Sequence, residues 1–532
     1  MHGIGKLRSM TNTWNTNLLD RFASQLAYCL EGGESFHAAD WPLAALREVP
    51  DEALVELVGL LSSLPLETGS ASIDVALASL FHTLTRRFQG AQESRTHQMS
   101  GELRAGLRRL FARLPREGRA QAHLLQVLAT ARDNESLRTW VELMGACPPR
   151  ESTLAAVVLG PLFQYRDYDP APLFPRLLDT AAHPALAACV LDLANYLTRS
   201  GRMPVHPAAD RQALMTRLLG DLAQRLSVLE ELPDKPGESA RALAEQVEDA
   251  VGLAVSLCDA LALIGDRAAV GKLYQAMELS HRRLRTEAAV ALARLGEPAG
   301  TQMLLSLASH PVSRLRVLKY AEELQILDQV DPQYVTDTAR AEAELALWLA
   351  QPTQLGIPPG KIELLDQRTF YWPGYEDPVS CFLFRFSYRL ATAEYANIAL
   401  VGPATHAFAA DLADLSPDDI YAAFAGWQAE HEEIFETDYE RLSETQRLEA
   451  IRLERRLHDR GYEEIQPVLL GSFFGEKSLI AQAKSGGTPC IAVVDTTDVI
   501  SFRTARHARA IGPAEAYAIY KGRKLLRSFN PE

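Results

Sequence analysis

The apolar positions of the chain follow two different periods, which divide it into a long helical part and a shorter mixed part. Up to about residue 345, apolar residues recur every three or four positions, as they do over 102–114. This spacing is typical of amphipathic helices. After the segment QPTQLGIPPG at 351–360, the spacing changes to strict alternation, which indicates strands. The predicted domains are a helical domain at 1–345, a linker at 346–360 and an α+β domain at 361–532.

The helical part contains an internal repeat with an offset of 31 residues. LCDALALIGDRAAVGKLYQAM and AAVALARLGEPAGTQMLLSLA align so that Gly265 falls on Gly296. Each copy predicts two amphipathic helices joined by a short turn at the glycine. One helix pair cannot bury its apolar stripe alone, so it must stack on its neighbours. We therefore expect a mainly α fold built as a right-handed stack of antiparallel helix pairs.

The repeat resembles a known family. SHRRLRTEAAVALARLGEP, at 280–298, is similar to the HEAT-like repeat first described in phycobilisome lyases. That repeat has an arginine near the start of its second helix, followed by an alanine-rich run that closes on Leu-Gly and an acid. The resemblance is strongest over 250–327 and implies a HEAT-like α-solenoid. The matching positions are Arg285, Ala288, Ala289, Leu292, Leu295, Gly296 and Glu297.

Four arginines are the most regular charged feature of the repeat. At the 31-residue offset, Arg283 aligns with Arg314, and Arg285 aligns with Arg316. We predict that Arg285 and Arg316 bond acids and helix-end carbonyls of adjacent repeats. Arg283 and Arg314 are predicted to be surface residues that could hold an acidic partner or a phosphate backbone.

Beyond residue 360 the pattern predicts an α+β domain with a mainly antiparallel sheet. Aromatic residues alternate along CFLFRFSYRL at 381–390, which predicts a strand with one buried aromatic face. Ser416-Pro417 predicts the start of one helix, and the pair Ser443 and Gln446 forms a capping box for the next. Further predicted elements are strands at 361–372 and 395–401, short strands over 466–503 and a last helix after Gly512-Pro513.

The chain is acidic, with 54 lysines and arginines, 68 aspartates and glutamates and a formal net charge of -14. Such a chain binds nucleic acid only where a local basic patch overcomes phosphate repulsion, so nucleic acid is a disfavoured partner. The segment 411–440 is strongly acidic and the segment 503–527 is basic. They are either sites for charged ligands or partners that neutralise each other within one domain, and we favour the second interpretation.

Two small groups are candidate contact residues in the C-terminal domain. Arg503, Arg506 and His507 could share one side of a helical turn and bind an anion. Tyr371 and Trp372 stand beside a Pro-Gly turn, where they form either a contact surface or a cap on the core.

The sequence contains none of the common catalytic motifs. There is no HExxH, no GxSxG, no phosphate-binding loop and no dinucleotide-binding glycine motif, so we assign no catalytic residue, no metal and no cofactor. Six scattered cysteines without a CxxC pair favour a reducing cytoplasm. No secretory signal is evident, and no apolar segment is long enough to span a bilayer, so we expect a soluble protein.

These features favour a protein–protein interaction scaffold or assembly factor that uses a helical-repeat surface, and its partner is expected to be another protein. Two alternatives stay open. The resemblance to phycobilisome-lyase repeats implies an enzyme that attaches or isomerises a bilin, although we favour a function without catalysis. The third possibility is a HEAT-like module that binds nucleic acid, which would need its basic residues on one face.

Overall fold

The structure is a computed structural model of the 532-residue chain. Apart from four residues between 24 and 28, it describes residues 49–66, 71–89, 98–116, 118–230, 238–390, 393–403, 407–409, 415–503 and 511–530. The chain divides into two compact units, Met1–Leu304 and Leu305–Glu532.

The first unit is helical throughout its described part. A short 3-10 helix at Arg176–Ala182 adds to its α-helices. These are α1 (Asp51–Ser63), α2 (Ala71–Thr85), α3 (Gly101–Phe111), α4 (Arg119–Ala131), α5 (Asn134–Ala146), α6 (Ser152–Gln164), α7 (Pro184–Arg199), α8 (Gln212–Glu230), α9 (Glu238–Ile264), α10 (Val270–Glu278), α11 (Arg282–Arg294) and α12 (Pro298–Ser306).

The helices of the first unit lie in two layers. In one layer α2, α4, α6, α7, α9 and α11 pack side by side in that order. In the other, α1, α3, α5 and the 3-10 helix follow one another, and α8 packs on α10. Each amphipathic helix thereby buries its apolar stripe against neighbours, so the predicted stack of helix pairs is confirmed for the described residues. No helix among them is long and apolar enough to cross a bilayer.

Residues in the left-handed conformation follow several of these helices. Gly201, Gly265 and Gly296, with φ of 71°, 80° and 82°, lie just after α7, α9 and α11. Glycine is favoured there because it has no Cβ to clash in this conformation. Gly265 and Gly296 are the two turn glycines that the repeat predicted.

The second unit contains two further helices and then two antiparallel sheets with their own helices. The four-stranded sheet has the order β1-β2-β3-β4, and the five-stranded sheet has the order β5-β6-β7-β8-β9. Its elements are α13 (Pro311–Glu323), α14 (Asp337–Leu349), β1 (Lys361–Phe370), β2 (Val379–Leu390), β3 (Ala393–Val401), β4 (Ala407–Ala409), α15 (Pro417–Trp427), β5 (Ile434–Asp438), α16 (Glu444–Asp459), β6 (Tyr462–Phe473), β7 (Glu476–Ser485), β8 (Thr488–Val494), β9 (Val499–Arg503) and α17 (Pro513–Phe529).

The second unit begins before the predicted linker at 346–360. Ala341, Leu345 and Leu349 of α14 pack against the aromatic face of β2 and against β3, so this helix belongs to the core of the first sheet. The sequence assigned α14 to the helical repeats because its period is the same as theirs. Periodicity shows that a helix has an apolar face, but it does not show which core that face covers.

The predicted α+β architecture is confirmed, and both sheets are antiparallel throughout. The side chain of Ser416 caps α15, and Ser443 with Gln446 forms the predicted capping box of α16. Two strands were not predicted, β4 with three residues and β5 with five. Strands this short show too little alternation to be recognised.

Each sheet of the second unit lies between two helices. On one side, α14 covers the first sheet and α16 covers the second. On the other side, α15 and α17 share one apolar cluster with both sheets. Apart from β5, which precedes α16, the two halves are therefore alike in chain order, each with a helix, a series of antiparallel strands and a second helix.

A sequence duplication accompanies this likeness. PDDIYAAFAG begins at Pro417 in α15, and PAEAYAIYKG begins at Pro513 in α17, 96 residues later. Both segments share proline, acid, tyrosine, alanine, aromatic and glycine at the same spacing. The duplication was not predicted from the sequence, because only a few separated positions are identical.

The two duplicated helices cross at their glycines. A Cβ added to Gly522 would lie 1.7 Å from the carbonyl oxygen of Ala422, and one added to Gly426 would lie 1.9 Å from that of Ala518. The contacts are reciprocal, because the alanine of each helix faces the glycine of the other. Backbone meets backbone here, so only a residue without a side chain fits.

Replacing Gly522 with alanine is expected to lower the free energy of unfolding of the second unit by about 3 kcal/mol, because the new methyl group meets a backbone carbonyl that cannot turn away. Gly252→Ala is the matched control, since a Cβ there has nothing within 4 Å. In that helix interior alanine should be neutral or stabilising by up to about 1 kcal/mol. Denaturant unfolding measures both changes. If the two substitutions change the free energy of unfolding equally, the close backbone contact of α15 and α17 at Gly522 is contradicted.

Candidate functional site

The repeat arginines do not align as the sequence suggested. His281 precedes α11 and His310 precedes α13, which sets these second helices 29 residues apart, although the turn glycines Gly265 and Gly296 are 31 apart. The segment between turn and second helix is thus two residues shorter in the later copy. Arg285 therefore corresponds to Arg314.

Arg285 and Arg314 have the same structural task. The Nε of Arg285 donates to the carbonyl of Leu279 at 2.8 Å, and the Nε of Arg314 donates to that of Ala308 at 2.9 Å, six residues earlier in each case. Both bonds satisfy a carbonyl that the end of the preceding helix leaves without a partner. The structural role predicted for Arg285 agrees with this geometry.

Arg314 is not the surface residue that was predicted. Its side chain is only 3% exposed and forms an ion pair of 2.6 Å with Glu342. It also donates to the carbonyl of Ala339 at 2.7 Å and lies over the ring of Tyr334. Arg316, which was predicted to be structural, is exposed. The 31-residue alignment misplaced Arg314 because it ignored the two-residue shortening.

An ion-pair bridge joins three neighbouring helices of one layer in the first unit. Asp259 of α9 pairs with Arg199 at the end of α7 and, at 3.0 Å, with Arg294 of α11. The Asp259 side chain is only 13% exposed, so it is screened less than a surface carboxylate. The bridge fixes the three helices side by side at one end of their common face.

A second polar group lies on the same three helices. Asp192 of α7, Ser256 of α9 and Arg283 of α11 interact there. Burial raises the pKa of the Asp192 carboxyl, while the neighbouring Ser256 hydroxyl and the charge of Arg283 act in the opposite direction. Arg283 is exposed, and the described part of the chain gives it no hydrogen bond and no ion pair within 4 Å. We call Asp192, Arg199, Asp259, Arg283 and Arg294 the charged face.

A buried histidine, His206, contributes to the contact between two of the helices that carry the charged face. Nε2 of His206 donates to Oδ1 of Asn195 at 2.9 Å, and its Nδ1 accepts from the N–H of Ala208 at 3.1 Å. The amide of Asn195 donates in turn to the carbonyl of Ser256 at 3.0 Å, which ties α7 to α9. Burial lowers the pKa of His206 to about 4, so the ring is neutral and fixed at neutral pH.

The predicted aromatic pair in the second unit separates into two different environments. Trp372 is fully buried, and its indole N–H donates to Oε1 of Gln428 at 2.7 Å. It is a core residue, in agreement with the second of the two interpretations. Tyr371 remains 48% exposed, and its backbone N–H and C=O both bond the side chain of Asn530.

The predicted anion cluster is described only at its first member. Arg503 is exposed at the end of β9, whereas Arg506 and His507 lie outside the described residues. The neighbouring acidic and basic segments do meet, since Nε of Arg523 binds Oδ1 of Asp419 at 2.7 Å. This ion pair agrees with the interpretation that the two segments neutralise each other within one domain.

Sequence reasoning missed four members of the charged face, namely Asp192, Arg199, Asp259 and Arg294. Helical spacing could have placed each residue on a polar side of its own helix, but the pairing across helices is visible only in the fold. Within the described ranges, no group of three or more His, Cys, Asp or Glu residues could hold a metal ion.

No protein-family model, no curated protein and no solved structure matches this chain. Its function is therefore inferred from its own residues and their geometry.

Arg314→Met is expected to lower the free energy of unfolding by about 3 kcal/mol, because it removes a buried ion pair and leaves backbone carbonyls without a donor. Arg316→Met is the matched control and should change it by less than about 0.5 kcal/mol, since that side chain is exposed. Thermal or denaturant unfolding compares the two variants. A larger loss of stability in Arg316→Met than in Arg314→Met would contradict the correspondence of Arg285 with Arg314.

The free energy of unfolding is expected to fall by roughly 3 kcal/mol as the pH drops from 6.5 to 4, on account of His206 alone. The folded pKa lies below the ordinary value of 6.5, so this contribution is fully present above pH 6.5 and lost through pH 4. His206→Gln should remove that part of the pH dependence, whereas His183→Gln, at an exposed position, should retain it. Parallel pH profiles for all three proteins would refute the assignment.

Proposed function

We propose that the chain is a protein-binding scaffold or assembly factor with a HEAT-like helical stack, and that the charged face receives an acidic segment of a partner protein. The HEAT-like character rests on the resemblance of residues 280–298. The observation that supports the function best concerns Arg283, an exposed guanidinium without an ion-pair partner among the described residues. The other two arginines of the charged face, Arg199 and Arg294, both form ion pairs with Asp259.

The rigidity of the surroundings supports this proposal. Asp259 holds α7 and α11 on α9, and His206 fixes α7 on α9 through Asn195. A partner that binds Arg283 therefore meets a surface that needs little ordering, which reduces the entropy lost on association. A planar guanidinium also suits bidentate recognition of a carboxylate.

An acidic protein segment is a better partner for this surface than a nucleic acid. The charged face contains three arginines and two aspartates, so its excess positive charge is small. Phosphate backbones are bound by several unpaired cations that release counterions together. Arg283, which has no ion pair among the described residues, gives selectivity for a carboxylate. A single such arginine gives little affinity for a polyanion in a chain with a net charge of -14.

We also propose a reducing cytoplasm as the location. The five cysteines in the described part are all free thiols, and three of them, Cys258, Cys381 and Cys490, are buried. Buried thiols in apolar surroundings act as small packing residues. No observation favours the bilin-lyase-like or the nucleic-acid-binding alternative over the scaffold.

The test is capture of a partner from native lysate on the immobilised full-length chain, followed by binding measurements with the purified partner. Arg283→Glu should weaken that binding by about ten-fold, because it places a carboxylate where one is to be received. Arg282→Glu is the matched control, since Arg282 is the preceding exposed residue of α11 and undergoes the same charge change. It should bind as the unaltered protein does.

Binding through the charged face should also weaken as salt is added, because exposed ion pairs are screened. If Arg283→Glu and Arg282→Glu reduce binding equally, the contact is not specific to this face. If neither variant binds less, the partner uses another surface of the chain.

A further inference from the structure

An open cleft in the first unit shares no lining residue with the charged face. Its volume is about 400 Å³, and it separates α5 from the segment that leads into the 3-10 helix. This volume falls within the range of roughly 300–1,000 Å³ that is usual for ligand sites. The apolar part of its lining is Val141, Ala171, Pro172, Phe174 and Pro175, and the polar part is Arg138, Glu142, Asp169 and Arg176.

One wall of the cleft, the segment 165–176, is fixed at its beginning by an arginine from the neighbouring repeat. Arg132 lies over the ring of Tyr165 at 3.9 Å from its centroid and forms an ion pair with Asp167. The Arg132 side chain is only 1% exposed. A buried guanidinium that stacks on an aromatic ring and pairs with a carboxylate holds the segment firmly.

A second arginine fixes the same segment from the opposite side. Arg202, which follows α7, lies over the ring of Tyr168 at 4.0 Å and donates to the carbonyl of that residue. The Tyr168 hydroxyl donates to the carbonyl of Leu162 at 2.7 Å. The wall is therefore held in place by contacts within the protein itself, as expected of a preformed binding site.

Most charges at the rim of the cleft are already engaged. Arg138 pairs with Glu135 of the same helix, and Glu142 pairs with Arg108 at 3.1 Å. Asp169 accepts from the N–H of Ala171 at 3.0 Å and, more weakly, from the side-chain amide of Asn134. The charges of Arg138 and Glu142 are therefore balanced by their partners, whereas Asp169 keeps its negative charge beside neutral donors.

Arg176 is the exception. The nearest acid along its own helix is Asp179, three residues later, but that carboxylate pairs with Arg211 at 2.8 Å. Arg176 is exposed, and no residue in the described part of the chain forms a hydrogen bond or an ion pair with it. The lining of the cleft thus combines apolar side chains with one guanidinium that has no partner among the described residues.

We propose that this cleft binds the carboxyl-terminal residue of a peptide. Its apolar side chain would contact the apolar residues of the lining, and its terminal carboxylate would bind Arg176. One guanidinium matches one carboxylate, and the apolar lining matches a side chain attached to the same residue. The site goes beyond the proposed function, because it shares no residue with the charged face.

The test uses the full-length chain and two small probes that differ only in charge, N-acetyl-phenylalanine and N-acetyl-phenylalaninamide. Ligand-detected NMR titration gives their dissociation constants. The acid is expected to bind about five-fold more tightly than the amide, which is the upper range for one exposed ion pair. Because Arg176 has no partner among the described residues, Arg176→Gln should fold with an unchanged melting temperature and bind both probes with equal, weak affinity.

Arg166→Gln is the matched control, since Arg166 is an exposed arginine of the same segment that does not line the cleft. It should keep the preference for the acid, and Arg176→Lys should keep part of it. Equal affinity of both probes for the unaltered protein would overturn the proposal, as would a preference that survives in Arg176→Gln. Arg283→Glu should leave the preference intact, so this test and that of the scaffold fail independently.

Discussion

The helical part of the molecule depends on how the carbonyl groups at its many helix ends are satisfied. Every helix leaves four carbonyls without an intrahelical partner, and a stack of short helices multiplies these ends. The chain meets the need with arginines that turn back onto the backbone. Arg285 and Arg314 donate to carbonyls six residues earlier, and Arg132 donates to the carbonyls of Thr130 and Phe88. An arginine at a regular position in this stack is thus structural by default.

The second unit depends on a different constraint, the close approach of two helices. Gly426 and Gly522 let the backbones of α15 and α17 touch, which brings one sheet against each helix of the pair. The buried tyrosines of the duplicated segment extend from the two helices to the strands. Tyr517 donates to the carbonyl of Ser472 at 2.7 Å, while Tyr421 makes a longer contact of 3.4 Å with that of Cys381. The shared glycine and tyrosine positions therefore reflect one packing solution used twice.

Features with a local physical cause were predicted correctly, and features set by tertiary contacts were not. The helix starts at Ser416 and Ser443 were predictable because a side chain there bonds an amide a few residues away. The burial of Arg314 was not predictable, because a repeat that loses two residues keeps its sequence likeness on both sides of the gap. Likewise Tyr371 and Trp372 are neighbouring aromatic residues, and only the fold shows that Trp372 joins the apolar cluster while Tyr371 is exposed. The candidate sites depend on such contacts, so they needed the fold.

Arg176 and Arg283 are both exposed and have no hydrogen bond and no ion pair among the described residues, but their surroundings assign them different roles. Arg283 lies on a surface of ion pairs, where an exposed contact contributes at most about 1 kcal/mol and is screened by salt. It can select a partner but cannot hold it alone. Arg176 lies beside an apolar cleft, where burial of a side chain contributes about 25 cal/mol for each Å². Charge thus supplies selectivity at both places, while the cleft is the place where apolar contact can supply affinity.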